Sequence, residues 1–203
     1  MLAESDNFQR VNQFHGEIYR FPANQYHPEI VNLNLPSDYI MYYHGYWINR
    51  EWFWTYKDVF LQELQFPPIL DENNQWYARR ISETCSVGIH IRRGDYVTYG
   101  LQMNETFYKQ ASQKMLEAFP DLTYFIFSDD LEWCQENEEA LGISLARDAV
   151  YVKGNTGENS FRDLQLLAMC KGMIMSNSAF CYLAALLNSN LSYCINPSTN
   201  RKV

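Results

Sequence analysis

Short apolar runs alternate with longer segments of mixed polarity through the second half of the chain. Five runs have the near-continuous apolar character of strands covered on both faces, at residues 86–92, 122–127, 149–152, 172–175 and 191–195. Between them lie segments whose apolar positions recur three or four residues apart, at residues 105–119, 129–141, 159–171 and 178–187. Strands separated by helices of this length predict βαβ crossovers, and therefore an α/β fold with a parallel, doubly wound sheet.

The N-terminal part of the chain has a different pattern. Three prolines and no sustained periodicity predict irregular structure up to residue 37. Apolar and aromatic positions then follow helical spacing across residues 52–63, and a second helix is predicted across residues 73–84. We therefore divide the chain into a partial N-terminal region, residues 1–84, and a Rossmann-like domain, residues 85–203.

Charge and cysteine usage narrow the function classes. The 203 residues contain 16 Lys and Arg against 24 Asp and Glu, a net charge of −8, whereas nucleic acids and anionic membranes attract a continuous basic face. The five cysteines form no CxxC pair and are odd in number, which favours reduced thiols and a cytoplasmic location. No signal-peptide pattern or membrane-spanning apolar run is present in the sequence, although its aromatic patches leave peripheral membrane contact open.

The residues at the end of the first strand and directly after it are the first candidates for chemistry, because ligands bind outside the carboxyl ends of parallel strands. His90, Arg92, Arg93 and Asp95 lie there. An arginine fork can bond two oxygens of a diphosphate at once and keeps its charge. The two arginines could instead pair with surface carboxylates, and His90 could be a hydrogen-bonded core residue or a second donor to the same anion.

Polar residues also follow the second strand and begin the helix predicted at residues 159–171. Asp129 and Asp130 follow the second strand; Asp129 with Glu132 fits a capping box, while a carboxylate there could also accept hydrogen bonds from a base or a ribose. Ser160 with Asp163 forms a similar capping pattern.

Ser176, Asn177 and Ser178 precede an apolar helix, where they could cap its first N–H groups or help to bind phosphate. The sequence lacks GxGxxG, GxxxxGK[ST], HExxH and GxSxG motifs and a DxD metal clamp. The composition of this edge therefore suggests a sugar-nucleotide site in which arginine, with no metal or other cofactor, stabilises a leaving diphosphate.

Four ordered blocks of the sequence resemble the bacterial α-1,2-fucosyltransferase family, glycosyltransferase family 11. They are GYWINREWFWTYKDVFLQELQF at 45–66, IHIRRGDYV at 89–97, FIFSDDLEW at 125–133 and SFRDLQLLAMCKGMIMSNSAFCYLAALLN at 160–188. The resemblance implies a GT-B-like fold whose C-terminal half binds GDP-fucose. It also implies an inverting, metal-independent transfer of L-fucose from GDP-β-L-fucose to the 2-hydroxyl of a galactose-type glycan acceptor.

The resemblance also implies roles for individual residues. Arg92 matches the arginine expected at the diphosphate, with Arg93 and His90 beside it, and Asp95 is a candidate for the base that inversion requires. The acidic pair Asp129 and Asp130 matches residues expected at the guanosine end. A cradle for the diphosphate and ribose is implied for the last motif, which contributes Asp163, Ser176, Asn177 and Ser178.

The sequence departs from the family in two places. No glycine-rich GGLGNQMFQYA-like opening is present, so the resemblance implies a chain truncated inside the first domain, with residues 1–84 a remnant of the acceptor side. The family's adjacent tryptophans are replaced by Tyr182 and Leu183. One alternative is therefore a non-catalytic or decayed GDP-sugar-binding fragment. Independently of these departures, the tripeptide Arg93-Gly94-Asp95 would allow an adhesive role if it formed an exposed loop tip.

Overall fold

The structure, a computed structural model, describes residues 54–197, which belong to one compact unit, Glu51–Val203. Its five strands all run parallel in one sheet, in the order β3-β2-β1-β4-β5. The strands are β1 Cys85–Ile91, β2 Leu122–Ser128, β3 Asp148–Tyr151, β4 Gly172–Ile174 and β5 Tyr193–Ile195. The predicted α/β fold with a Rossmann-like, doubly wound sheet is confirmed.

Eight α-helices lie within the described part of the chain. They are α1 Lys57–Glu63, α2 Glu72–Glu83, α3 Gly94–Thr98, α4 Glu105–Ala118, α5 Leu131–Glu136, α6 Glu138–Leu141, α7 Phe161–Leu167 and α8 Ala179–Leu187. Side-chain oxygens begin several of them: Asp71 caps α2 by accepting from Asn74 N–H, and Asn104 caps α4 by accepting from Phe107 N–H. No helix between residues 54 and 197 is long and apolar enough to cross a membrane.

Helices cover both faces of the sheet. Because successive strand side chains point to opposite sides, each strand contributes to the core on both faces. Val87, Ile89 and Ile91 of β1 pack with Tyr108 and Met115 of α4. The opposite face forms a second core from α2, α7 and α8, to which Phe125 and Phe127 of β2 contribute. The near-continuous apolar runs predicted for the strands follow from this double burial.

The sheet order places a topological switch point beside β1. The chain passes from β1 outward through β2 and β3, then returns to β4 on the other side of β1. The crossovers on either side of this point lie on opposite faces of the sheet and leave a crevice at the carboxyl ends of β1 and β4, where ligands bind in folds of this kind. The register pairs Ile89 with Ile174, so Arg92 and Asn177 each lie three residues beyond a paired position.

Three local predictions need correction or qualification. The helix predicted across residues 129–141 is divided at Asn137 into α5 and α6. Ser160 forms no side-chain cap, because the 3-10 turn Gly157–Asn159 leads directly into α7. Helix α2 precedes the predicted boundary between residues 84 and 85 and packs against the sheet through Tyr77 and Ile81; that boundary stays a prediction, and residues 1–53 and 198–203 lie outside the described part.

Candidate functional site

Arg92 follows the central strand β1 directly and is held by two carboxylates. Its Nη2 donates to Asp95 Oδ1 at 2.7 Å, and its Nη1 lies 2.9 Å from Asp129 Oδ2. The side chain remains 37% exposed, and its guanidinium carbon lies 5.6 Å from the centre of the Tyr96 ring. A charged fork at the switch point is therefore fixed in position and still accessible.

Arg93 is more enclosed than its neighbour. Its guanidinium carbon lies 3.4 Å from the centre of the Trp133 ring, and Nε donates to Asp130 Oδ2 at 3.0 Å. A planar guanidinium stacks well on an indole face. Only 17% of the Arg93 side chain is exposed, so it fastens the β1–α3 turn to α5. The tripeptide from Arg93 to Asp95 thus begins at an anchored residue and enters a helix.

The two adjacent aspartates after β2 have different tasks. Asp129 Oδ1 accepts from the backbone N–H of Arg93 at 2.8 Å, while its other oxygen pairs with Arg92. Asp130 Oδ1 accepts from Trp133 N–H at 3.2 Å and caps α5. The capping box predicted for Asp129 and Glu132 is wrong in its first residue. The Asp129 carboxylate contacts Arg92 and the backbone N–H of Arg93 instead, and Asp130 is the cap.

Gly94 makes room for this arrangement. A Cβ atom at position 94 would lie 2.6 Å from Asp129 Oδ2, closer than non-bonded atoms approach. The absence of a side chain therefore allows Asp129 to approach Arg92 and the first turn of α3 together.

His90 lies beneath the site and is 7% exposed. Its Nδ1 lies 2.8 Å from Ser176 Oγ, and its ring stacks on Phe180 with a centroid distance of 5.2 Å. Burial, with a smaller contribution from the positive charge of Arg92, lowers the pKa of His90 to about 3. His90 is therefore neutral at pH 7 and, in this structure, joins β1 to the β4–α8 turn.

The β4–α8 turn presents the remaining predicted residues at the switch point. Ser178 caps α8 by accepting from Phe180 N–H at 3.3 Å, as predicted for this segment. Asn177 Nδ2 donates to the carbonyl oxygen of Leu101 at 2.7 Å. Because Leu101 follows α3, this hydrogen bond connects the turns after β1 and β4.

Asp163 belongs to a separate cluster at the carboxyl end of β3. Asn155 Nδ2 donates to Asp163 Oδ1 at 2.8 Å, and Asn155 exchanges two hydrogen bonds of 2.8 Å with the amide of Asn74. Asp71, the cap of α2, accepts from the same Asn74 side chain at 2.9 Å. Burial raises the pKa of Asp163 to about 6, against a smaller lowering effect of the Asn155 hydrogen bond.

Two clusters can now be defined at this edge. The arginine cluster comprises Arg92, Arg93, Asp95, Asp129 and Asp130. The amide cluster comprises Asp71, Asn74, Asn155 and Asp163. Within residues 54–197, no group of three or more His, Cys, Asp or Glu side chains is arranged to hold a metal ion.

Sequence reasoning missed Trp133 and Asn155. Trp133 could have been identified because it lies one helical turn after Asp130, on the side facing Arg93. Asn155 follows β3 in the loop KGNTGEN, so the rule applied to the other strand ends would have included it.

Comparison with known proteins identifies the family. A sequence profile described as Glycosyl transferase family 11 matches residues 6–202. The alpha-1,2-colitosyltransferase of Escherichia coli is 34% identical over 191 residues, which are 88% of this chain and 61% of that protein. Galactoside alpha-(1,2)-fucosyltransferase 1 of Saimiri sciureus is 31% identical over 108 residues, 50% of this chain and 28% of that protein.

Two solved glycosyltransferase structures align with part of this chain. The fucosyltransferase NodZ from Bradyrhizobium aligns with a TM-score of 0.41 and 16% identity, covering 94% of this chain and 72% of that one. The E. coli ADP-heptose lps heptosyltransferase II aligns with a TM-score of 0.42 and 17% identity, covering 66% of this chain and 41% of that one. The resemblance read from the four sequence blocks is confirmed by the profile, which extends over nearly the whole sequence, and we conclude that this chain belongs to glycosyltransferase family 11.

Proposed function

We propose that this chain carries the donor-binding part of an α-1,2-fucosyltransferase, which moves L-fucose from GDP-β-L-fucose to the 2-hydroxyl of a galactose-type acceptor. One observation supports the proposal most directly: Arg92 places an accessible guanidinium at the switch point of the sheet. Membership of the family adds the reaction class, since its named relatives are α-1,2 glycosyltransferases.

The proposed reaction inverts the anomeric carbon. The acceptor oxygen attacks that carbon, the bond to the β-phosphate oxygen breaks, and its electron pair leaves with GDP. The hydroxyl proton passes to a carboxylate, for which Asp95 is the candidate. Arg92 stabilises the negative charge that develops on the diphosphate, so we propose that no metal is required.

The surrounding residues receive supporting roles in this proposal. Asp129 and Asp130 already hold the two arginines, which gives them the task of orienting the guanidinium groups. The Ser176–Asn177–Ser178 turn contributes the start of α8 to the binding of the diphosphate and ribose, and direct contact of these three side chains with the donor stays a prediction. Contact of Asp129 or Asp130 with guanosine, and of Asp163 with the donor, stays a prediction.

Binding of GDP tests the donor site. Calorimetric titration should give measurable affinity for the wild-type chain, and Arg92→Ala should weaken it by about 10- to 150-fold, the loss of one charge-assisted contact. Arg80→Ala is the matched control. Arg80 of α2 is 36% exposed, and its Nη2 lies 2.8 Å from Oδ2 of Asp148, which lies at the amino end of β3. Equal affinities for wild type and Arg92→Ala would contradict the proposal.

Transfer to an acceptor tests the reaction. The protein is incubated with GDP-fucose and lactose, with and without EDTA, and the linkage in the product is determined by NMR. An α-1,2-linked product formed equally well with EDTA supports the proposal. GDP binding without any transfer would favour the non-catalytic alternative.

Colitose is a second candidate for the donor sugar. The relative that shares 34% identity over 88% of this chain is named as a colitosyltransferase. Competition between GDP-fucose and nucleotide-linked colitose in the transfer assay would identify the preferred donor by the ratio of kcat/KM values.

A further inference from the structure

The two carboxylates on Arg92 compete for the same groups that a diphosphate needs. Asp95 contacts Nη2 and Asp129 contacts Nη1, so both terminal nitrogens of the guanidinium carry a negative partner. Each of these nitrogens has a second N–H, but a phosphate that contacts both of them brings its negative charge directly against the two carboxylates, and repulsion between the anions favours release of at least one carboxylate. The structure therefore raises the question of which carboxylate leaves.

Asp129 is the better anchored of the two. Its side chain is 26% exposed, and its oxygens are divided between Arg92 and the backbone N–H of Arg93. Displacement of Asp129 would leave that N–H without its acceptor, which is costly. The same carboxylate also occupies the space next to Gly94 that a Cβ atom would need.

Asp95 is held more weakly. Its side chain is 53% exposed and lies in the first turn of α3, a helix of five residues. An exposed ion pair between neighbours in sequence contributes little, because solvent and salt screen it. Rotation of the Asp95 side chain into solvent therefore releases Nη2 at small cost.

We propose that Asp95 is an exchangeable counter-ion of Arg92 that the donor's diphosphate replaces, while Asp129 remains bound and orients the guanidinium. This inference rests on the proposed function, because it takes the incoming anion to be a nucleoside diphosphate. It also sets an order: the Asp95 carboxylate becomes available to accept a proton only after the diphosphate has taken its place on Arg92.

The test compares two isosteric variants that each remove one negative charge from Arg92. Asp95→Asn should bind GDP about two- to five-fold more tightly than wild type, since no carboxylate competes for Nη2. Asp129→Asn should bind GDP about ten-fold more weakly, since the guanidinium loses its fixed orientation. Pyrophosphate should reproduce both changes, and guanosine should show neither. Thermal unfolding without ligand verifies that both variants are folded.

Two controls separate this exchange from a general effect of charge. Glu132→Gln removes an exposed negative charge from the first turn of α5, and Asp148→Asn breaks the ion pair with Arg80. Neither should change GDP affinity by as much as two-fold. Tightening by Asp95→Asn and Asp129→Asn to the same extent would overturn the inference, and so would an unchanged or weakened Asp95→Asn. Failure of the wild-type chain to bind GDP would instead refute the proposed function.

Discussion

The arginine cluster and the amide cluster lie at the same edge of the sheet but depend on different interactions, ion pairs in the first and amide hydrogen bonds in the second. The first consists of arginine and aspartate side chains joined by ion pairs and from 17% to 53% exposed. The second relies on paired amides around Asn74, which is 4% exposed, and joins residues about 80 positions apart in the chain. Partly exposed charges can exchange partners, whereas reciprocal amides that include a buried side chain hold elements together. We therefore expect ligand binding to depend on the first cluster and folding to depend on the second.

The largest effect on stability is expected in the amide cluster. Asn74→Ala removes both hydrogen bonds to the Asn155 amide and should lower the free energy of unfolding by roughly 2 to 3 kcal/mol. Urea denaturation of this variant, of Asn155→Ala and of the double variant measures the coupling between the two amides. Fully additive losses would show that the amides do not act as a pair.

A pH-dependent effect is expected at Asp163. Burial raises the pKa in the folded state to about 6, so this carboxyl stabilises the fold at low pH and the contribution is lost as the pH rises through about 6. Asp163→Asn keeps an acceptor for Asn155 and should be about 1 to 2 kcal/mol more stable than wild type at pH 7. Unfolding curves at pH 4 and pH 7 measure the difference, and identical pH profiles for both proteins would contradict the assignment.

The cap of α5 should show a smaller loss. Asp130→Ala should cost about 1 kcal/mol, because the Trp133 N–H loses its acceptor. Asp130→Asn is the matched variant, since asparagine caps as well as aspartate but carries no charge for Arg93. Thermal unfolding that places the two variants at the same stability would assign the loss to the ion pair with Arg93.

The smallest effect on stability is expected from Arg92→Ala. Its ion pairs are partly exposed, so the free energy of unfolding should fall by less than about 1 kcal/mol. A loss as large as that of Asn74→Ala would remove the contrast between the clusters and make Arg92 a structural residue.

The sequence predicted the sheet well because burial on both faces leaves a signal within each strand. The position of Arg92 could also be predicted, because the end of the apolar run of β1 places it at the sheet edge whatever its partners are. The division of labour between Asp129 and Asp130 could not be predicted, because it depends on the contact of two strands that are 36 residues apart at Arg93 and Asp129. The pairing of Asn74 with Asn155 likewise requires the packing of α2 near the β3–α7 loop.

Because β1 has a hydrogen-bonded neighbour on each side, the backbone that leads into Arg92 is braced from both directions. We therefore expect the arginine cluster to adjust to an incoming anion by side-chain rotation, which takes picoseconds to nanoseconds for exposed groups. Encounter of the anion with Arg92 should accordingly be limited by diffusion and not by rearrangement of the β1 backbone.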